Sequence, residues 1–250
     1  MLKIIVSATA ILSSLAAFSQ VSENRTVADF SKLKTSASVH VYYTVSNAKT
    51  VKVETDDNEK MKFIKTEVEN GSLNIFVDSA KGKVHAMRFK ILNIYVSGPS
   101  LTSVKASSSS KIKFENQNSA DHVDVAVSSS AGISGEFNCS EINIDASSSG
   151  KLSAKVNAKS AEVETSSSAD VNLNGKTDTL KVKSSSSSSC NADKLIAEDV
   201  TANASSSADI NVYASKSLNA KASSSADINY YGNPSQVVAD KSSSGSVNKK

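Results

Sequence analysis

Residues 141–154 read Glu141-Ile142-Asn143-Ile144-Asp145-Ala146-Ser147-Ser148-Ser149-Gly150-Lys151-Leu152-Ser153-Ala154, with apolar or small groups at every second position. Side chains of a β-strand point alternately to opposite faces, so a period of two predicts strand with one buried face. Ile142, Ile144, Ala146, Gly150, Leu152 and Ala154 share the buried face in this reading.

The pattern recurs through the second half of the chain. Serine clusters fall at 107–110, 128–130, 147–149, 166–168, 184–189, 205–207, 223–225 and 242–244, a spacing of 18 to 21 residues and usually 19. Carrying strict alternation through each cluster turns the middle serine inward, at Ser108, Ser129, Ser148, Ser167, Ser186, Ser206, Ser224 and Ser243. Two residues on stand Ser110, Ala131, Gly150, Ala169, Ser188, Ala208, Ala226 and Gly245. Two further on stand Ile112, Ile133, Leu152, Val171, Cys190, Ile210, Ile228 and Val247. A coil of about 19 residues cannot bury its apolar face alone, so the expected fold is all-β, a β-solenoid with coils stacked about 4.8 Å apart.

The opposite face has columns of its own. Serine pairs such as Ser166 with Ser168 and Ser205 with Ser207 are expected to point outward, followed by Asp170, Asp209 and Asp227, then by Asn172, Asn191, Asn211 and Asn229. Residues 20–103 differ in texture from the serine-rich repeat of 104–250. They carry larger apolar groups (Val39, Val41, Tyr43, Val45, Leu73, Ile75, Val77), most of the aromatics and an Asn70-Gly71 turn signal. This reads as a strand-rich lobe that starts the solenoid and caps one end.

Composition supports a folded, non-membrane chain: 250 residues, 39% hydrophobic, 5% aromatic, no Trp and two Pro. Of 51 serines 38 follow residue 100, yet apolar residues stay spaced between them, unlike a disordered serine-rich linker. The net charge of +3 is spread along the chain, with no dense basic tract for nucleic acid or anionic lipid. Lys3 followed by the apolar run Ile4 to Phe18 has the layout of a secretory signal over residues 1–19, cleaved before Gln20. The run is shorter than the roughly 20 residues of a spanning helix, and no transmembrane segment is expected in the mature chain. Cys139 and Cys190 do not make a disulfide framework, and both are expected to be free thiols.

The sequence resembles the GIN domain family, bacterial domains named as autotransporter adhesin heads. The likeness rests on Arg25, Val27 and Phe30, on Lys65-Thr66-Glu67-Val68-Glu69-Asn70-Gly71-Ser72-Leu73-Asn74-Ile75, on Ile94-Tyr95-Val96-Ser97-Gly98-Pro99-Ser100-Leu101, and on the small-residue repeats. The resemblance implies a right-handed parallel β-helix exported to the periplasm or cell surface, and it brings no catalytic residues. No translocator barrel pattern follows the repeats, so a complete autotransporter is not expected.

A search for chemistry returns little. No G-x-S-x-G occurs, and His40, His85 and His122 are scattered, so the serines read as structural or surface groups. Asp209 and Asp227 are expected on adjacent coils about 4.8 Å apart, near the spacing of retaining glycosidase pairs, but their neighbours are Ser, Ala and Asn. A weak calcium site on the same oxygens is a second reading, and solvated carboxylates the plainer one. The cysteines lie far apart with no Cys or His at zinc spacing. Lys81, Lys83, Arg88 and Lys90 with His85 read as a solvated basic face or an anionic-polymer contact.

The reading is therefore a non-catalytic exported β-helix, an adhesin or a binder of an extended glycan or other cell-surface polymer, with no cofactor, no metal and no nucleic acid. Asp170, Asp209, Asp227, Asn172, Asn211 and Asn229 are the expected ligand contacts. The alternatives are a structural or envelope-associated accessory protein, a polysaccharide-processing enzyme on the Asp pair, or an ice- or mineral-surface binder on the serine columns.

Overall fold

The computed structural model describes residues 21–78 and 89–250. The leader reading of residues 1–19 and, in the basic cluster, Lys81, Lys83, His85 and Arg88 lie outside the described residues. In chain order the elements are β1 (Val21–Arg25), β2 (Lys32–Thr35), β3 (His40–Val45), β4 (Thr50–Thr55), α1 (Asn58–Met61), β5 (Ile64–Glu69), β6 (Ser72–Val77) and β7 (Leu92–Gly98). They continue with β8 (Ser103–Ala106), β9 (Lys111–Phe114), β10 (Asn118–Ser119), β11 (His122–Val127), β12 (Gly132–Asn138), β13 (Glu141–Ala146) and β14 (Lys151–Thr165). The last are β15 (Asp170–Ser184), β16 (Ser189–Ala204), β17 (Asp209–Ala222), β18 (Asp227–Tyr231), β19 (Gln236–Lys241) and β20 (Ser246–Lys249).

From β8 onward each coil has two arms joined by a serine turn, and Ala37–Ser38 makes the equivalent turn between β2 and β3. Leading arms stack in parallel as β6, β2, β8, β11, β13, the second halves of β14 to β17, and β19. Trailing arms stack as β7, β3, β9, β12, the first halves of β14 to β17, β18 and β20. The strands are parallel because every coil runs in the same sense. The result is the expected β-helix, with Lys151 opposite Asp170, Asp170 opposite Ser189 and Asp209 opposite Asp227.

At the N-terminal end, chain order and spatial order part. The coil β2–β3 lies between β6–β7 and β8–β9, so His40 has Asn93 on one side and Lys111 on the other. Antiparallel β4 and β1 cover β7, and antiparallel β5 covers β6, which closes one end of the stack against further strand pairing.

Inside, the two small and apolar columns that follow the clusters face inward as expected. Ser110, Ala131, Ala169, Ser188, Ala208 and Ala226 are buried, and so is the whole column from Ile112 to Val247. Buried hydroxyls satisfy one another: Thr35 Oγ1 lies 2.9 Å from Ser110 Oγ, and Thr165 Oγ1 lies 2.8 Å from both Ser184 Oγ and Ser188 Oγ. Both cysteines are free, with burial pushing the thiol of Cys139 up to about 11 and that of Cys190 to about 12.

The middle serines correct the sequence reading, because they are exposed and not inward. Ser148 and Ser149 have φ of 49° and 61°, and Gly150 N–H donates to Ser147 C=O at 2.8 Å. Positive φ at both central residues with that closing bond is the signature of a type I′ turn. The same pair of positive φ values recurs in all eight serine clusters and at Ala37–Ser38. Alternation misled because the turn inserts two residues: an even number leaves the flanking strands in phase while the two tip residues leave the faces altogether.

Left-handed backbone is unfavourable for a non-glycine residue, by roughly 1–2 kcal/mol. Here the tips join the hydrogen-bonded ladder: Ser149 N–H donates to Ser167 C=O and Ser168 N–H to Ser186 C=O, at 3.0 and 3.1 Å. Ser167→Val should therefore cost about 1–2 kcal/mol, as a β-branched side chain meets φ of 50°. Ser167→Gly should change stability by under about 0.5 kcal/mol, relief of the positive φ offsetting a more flexible unfolded chain. Chemical denaturation reads both, and equal losses would contradict the turn.

Candidate functional site

The outward side of the trailing arms carries the expected ligand residues in two columns. The first runs His40, Lys111, Gly132, Lys151, Asp170, Ser189, Asp209, Asp227, Ser246. The second, two residues on, runs Tyr42, Lys113, Ser134, Ser153, Asn172, Asn191, Asn211, Asn229, Asn248 along the same registers. Both are outward because the intervening residues, Ile112, Ile133, Leu152, Val171, Cys190, Ile210 and Ile228, fill the core.

The asparagines form an amide ladder. Asn191 donates to Asn172 at 3.2 Å, Asn211 to Asn191 at 2.8 Å and Asn229 to Asn211 at 3.0 Å. Stacking at the strand spacing brings each amide N–H to the carbonyl oxygen of its neighbour, the geometry of asparagine ladders in cross-β stacks. Each amide keeps a further N–H for an outside partner.

Asp209 and Asp227 are direct neighbours, whereas Ser189 separates Asp170 from Asp209. Asp170 accepts from Asn172 at 3.1 Å, and the Ser246 hydroxyl donates to Asp227. Among the described residues no group of three or more His, Cys, Asp and Glu is placed to hold a metal ion. His122 lies away from the face and contacts Asp124 at 2.9 Å.

Alternation alone did not bring out the groups at the N-terminal end of this face. Tyr42 stacks on Tyr95 with centroids 5.1 Å apart and planes at 16°, and Lys52 lies over the Tyr95 ring at 5.9 Å. Gly132 leaves a gap between Lys111 and Lys151. Their parity was legible, but their company was not, since Tyr95 and Lys113 reach Tyr42 only through the displaced order of the first coils.

A second concave surface, of about 620 Å³, follows the turn serines Ser147, Ser166, Ser185, Ser205 and Ser223 on the leading arms. Two of its charged residues, Lys183 and Glu164, pair with each other, and Lys183 also reaches Glu162 at 3.2 Å beside the surface. Burial, helped by Glu164 and Asp124, holds the Asp145 carboxyl above its usual range.

Several solved structures share this architecture. One of a putative lipid binding protein from Parabacteroides distasonis is 22% identical, with a TM-score of 0.84 over 92% of this chain and 96% of that one. One of a putative adhesin from Parabacteroides merdae is 15% identical, with a TM-score of 0.85 over the same shares. A putative adhesin from Parabacteroides distasonis is 18% identical, with a TM-score of 0.83 over 93% of this chain and 97% of that one. Identities this low establish a common fold. No curated protein matches the sequence. No helix among the described residues is long and apolar enough to cross a membrane, which says nothing of a β-barrel. A family model described as "Putative auto-transporter adhesin, head GIN domain" matches residues 29–234, and the chain belongs to that family.

Proposed function

We propose that the chain is a non-catalytic, exported surface protein that binds an extended polymer, a glycan above all, along the outward face of its trailing arms. The observation that supports this most is the asparagine ladder beside the Asp170–Asp227 column: identical groups held at a fixed repeat meet a periodic ligand through many weak contacts that combine. Ionised carboxylates make stronger hydrogen bonds to sugar hydroxyls than neutral groups do. Membership of an adhesin family agrees with such a role. The structure described as lipid binding raises a lipid ligand as the contrasting case, and the polar Ser, Asp and Asn columns favour the hydroxyl-rich one.

A glycan array probed with residues 20–250, beside an ice-recrystallisation assay, tests the proposal. Asp170→Ala, Asp209→Ala and Asp227→Ala together should weaken glycan binding about tenfold, the equivalent of about 1.4 kcal/mol, with the melting temperature nearly unchanged. Deleting one whole coil should weaken it further. Cleavage of a polysaccharide, abolished by Asp209→Asn alone, would move the chain to the enzymes. No glycan bound by the wild type would leave the envelope-accessory reading in its place.

A further inference from the structure

The first outward column changes sign along the solenoid axis. Lys111 and Lys151 flank Gly132, and beyond Lys151 the charged members are Asp170, Asp209 and Asp227. Gly132 is the telling residue. Its φ is not positive, and an added Cβ would meet nothing nearer than Lys111 Cγ at 3.8 Å. Neither the backbone nor the packing needs a glycine there, and glycine inside a strand weakens it. What its missing side chain supplies is room: a depression of about 460 Å³, with His40 and Tyr42 at one end and Asp170 at the other.

The two lysines beside this depression differ from their neighbours. Lys113 pairs with Glu115 at 3.1 Å and Lys155 with Glu136 at 2.8 Å. Among the described residues neither Lys111 nor Lys151 has a carboxylate within 4.0 Å. They stand two strand spacings apart, roughly 10 Å, with the gap at Gly132 between them. Burial and the Lys111 charge lower the His40 pKa, so at neutral pH the imidazole offers hydrogen bonds and no third charge.

We infer that the face takes a glycan that is neutral along its length and ends in a carboxylate-bearing sugar, the carboxylate seated over Gly132 between Lys111 and Lys151. The inference rests on the polymer-binding reading above and adds the charge pattern of the ligand. An anion over Gly132 meets two unpaired ammonium groups. One coil beyond Lys151 a second anion would meet Asp170, then Asp209 and Asp227, which repel it but accept hydrogen bonds from hydroxyls. A uniformly charged polyanion therefore fits worse than an acid-terminated neutral chain.

Calorimetric titration of residues 20–250 with 3′-sialyllacto-N-neotetraose, with lacto-N-neotetraose, the same glycan lacking its acidic sugar, and with polygalacturonate separates the cases. The acid-terminated glycan should bind about tenfold tighter than its neutral counterpart. Lys111→Gln with Lys151→Gln should erase that difference, and so should Gly132→Leu, which fills the depression from the outer face; melting curves verify that both variants stay folded. Equal affinity for the neutral and acid-terminated glycans, or tighter binding of polygalacturonate, would overturn the inference and leave the polymer reading standing. No binding of any of the three would remove the polymer reading and the inference together.

Discussion

Gly175→Ala should destabilise the protein by about 3–5 kcal/mol, while Gly132→Ala, two coils away, should change it by under about 0.5 kcal/mol. Gly175 sits in β15 where the chain passes from the trailing to the leading arm, with φ of +115°. A Cβ there would lie 2.1 Å from the carbonyl oxygen of Val156, its register partner on the adjoining coil. That oxygen is backbone, and the coil spacing is fixed by hydrogen bonds on either side of it, so neither atom can yield cheaply. At Gly132 the same methyl makes only ordinary contacts, with Lys111 Cγ at 3.8 Å and the Lys151 carbonyl oxygen at 4.0 Å. Because a solenoid is stabilised coil against coil, the damage should begin locally, with β14 to β16 losing amide protection before the capped N-terminal end does. Denaturation and hydrogen exchange on both variants read the outcome, and similar losses would contradict the close approach of Val156 to Gly175.

Phe137→Ala should cost about 3–5 kcal/mol, and Phe137→Leu under about 1.5 kcal/mol. Phe137 is fully buried and ends a row of rings through the first coils: Phe30 to Tyr43 at 6.5 Å, Tyr43 to Phe114 at 5.3 Å and Phe114 to Phe137 at 5.3 Å. Further along, the interior is filled by Ala, Val, Leu and Ile with Cys190 and a few buried Ser and Thr, so Phe137 is the last fully buried ring before the core thins. Truncation leaves a void that the strands, held at fixed spacing, cannot close. A loss below about 1 kcal/mol would mean that the coils collapse onto the gap.

The repeat was legible because its signal is local. Nineteen-residue spacing and a period of two depend only on neighbours along one strand, and they placed Ile142, Leu152 and Val171 inside and Asp170, Asn172 and Asn211 outside. The asparagine columns followed from the same arithmetic, since in-register stacking turns a sequence period into a spatial ladder. The inward reading of Ser148 and its equivalents failed for a reason equally local in origin: a two-residue turn preserves parity, so alternation cannot register its presence.

The tertiary structure alone decided which coils are neighbours at the N-terminal end. By sequence β3 should precede β4 in the stack, yet β3 lies between β7 and β9, which places Tyr42 against Tyr95 and His40 against Lys111. Pairing between distant strands is chosen by the free energy of closing the whole end of the solenoid, with β4, β1 and β5 covering its edge, and no short-range pattern records it. The sequence by itself thus determined a stacked all-β repeat with polar columns on its surface, because those follow from spacing along the strand. The long-range pairing determined that the columns begin at an aromatic stack and a pair of unpaired lysines around Gly132.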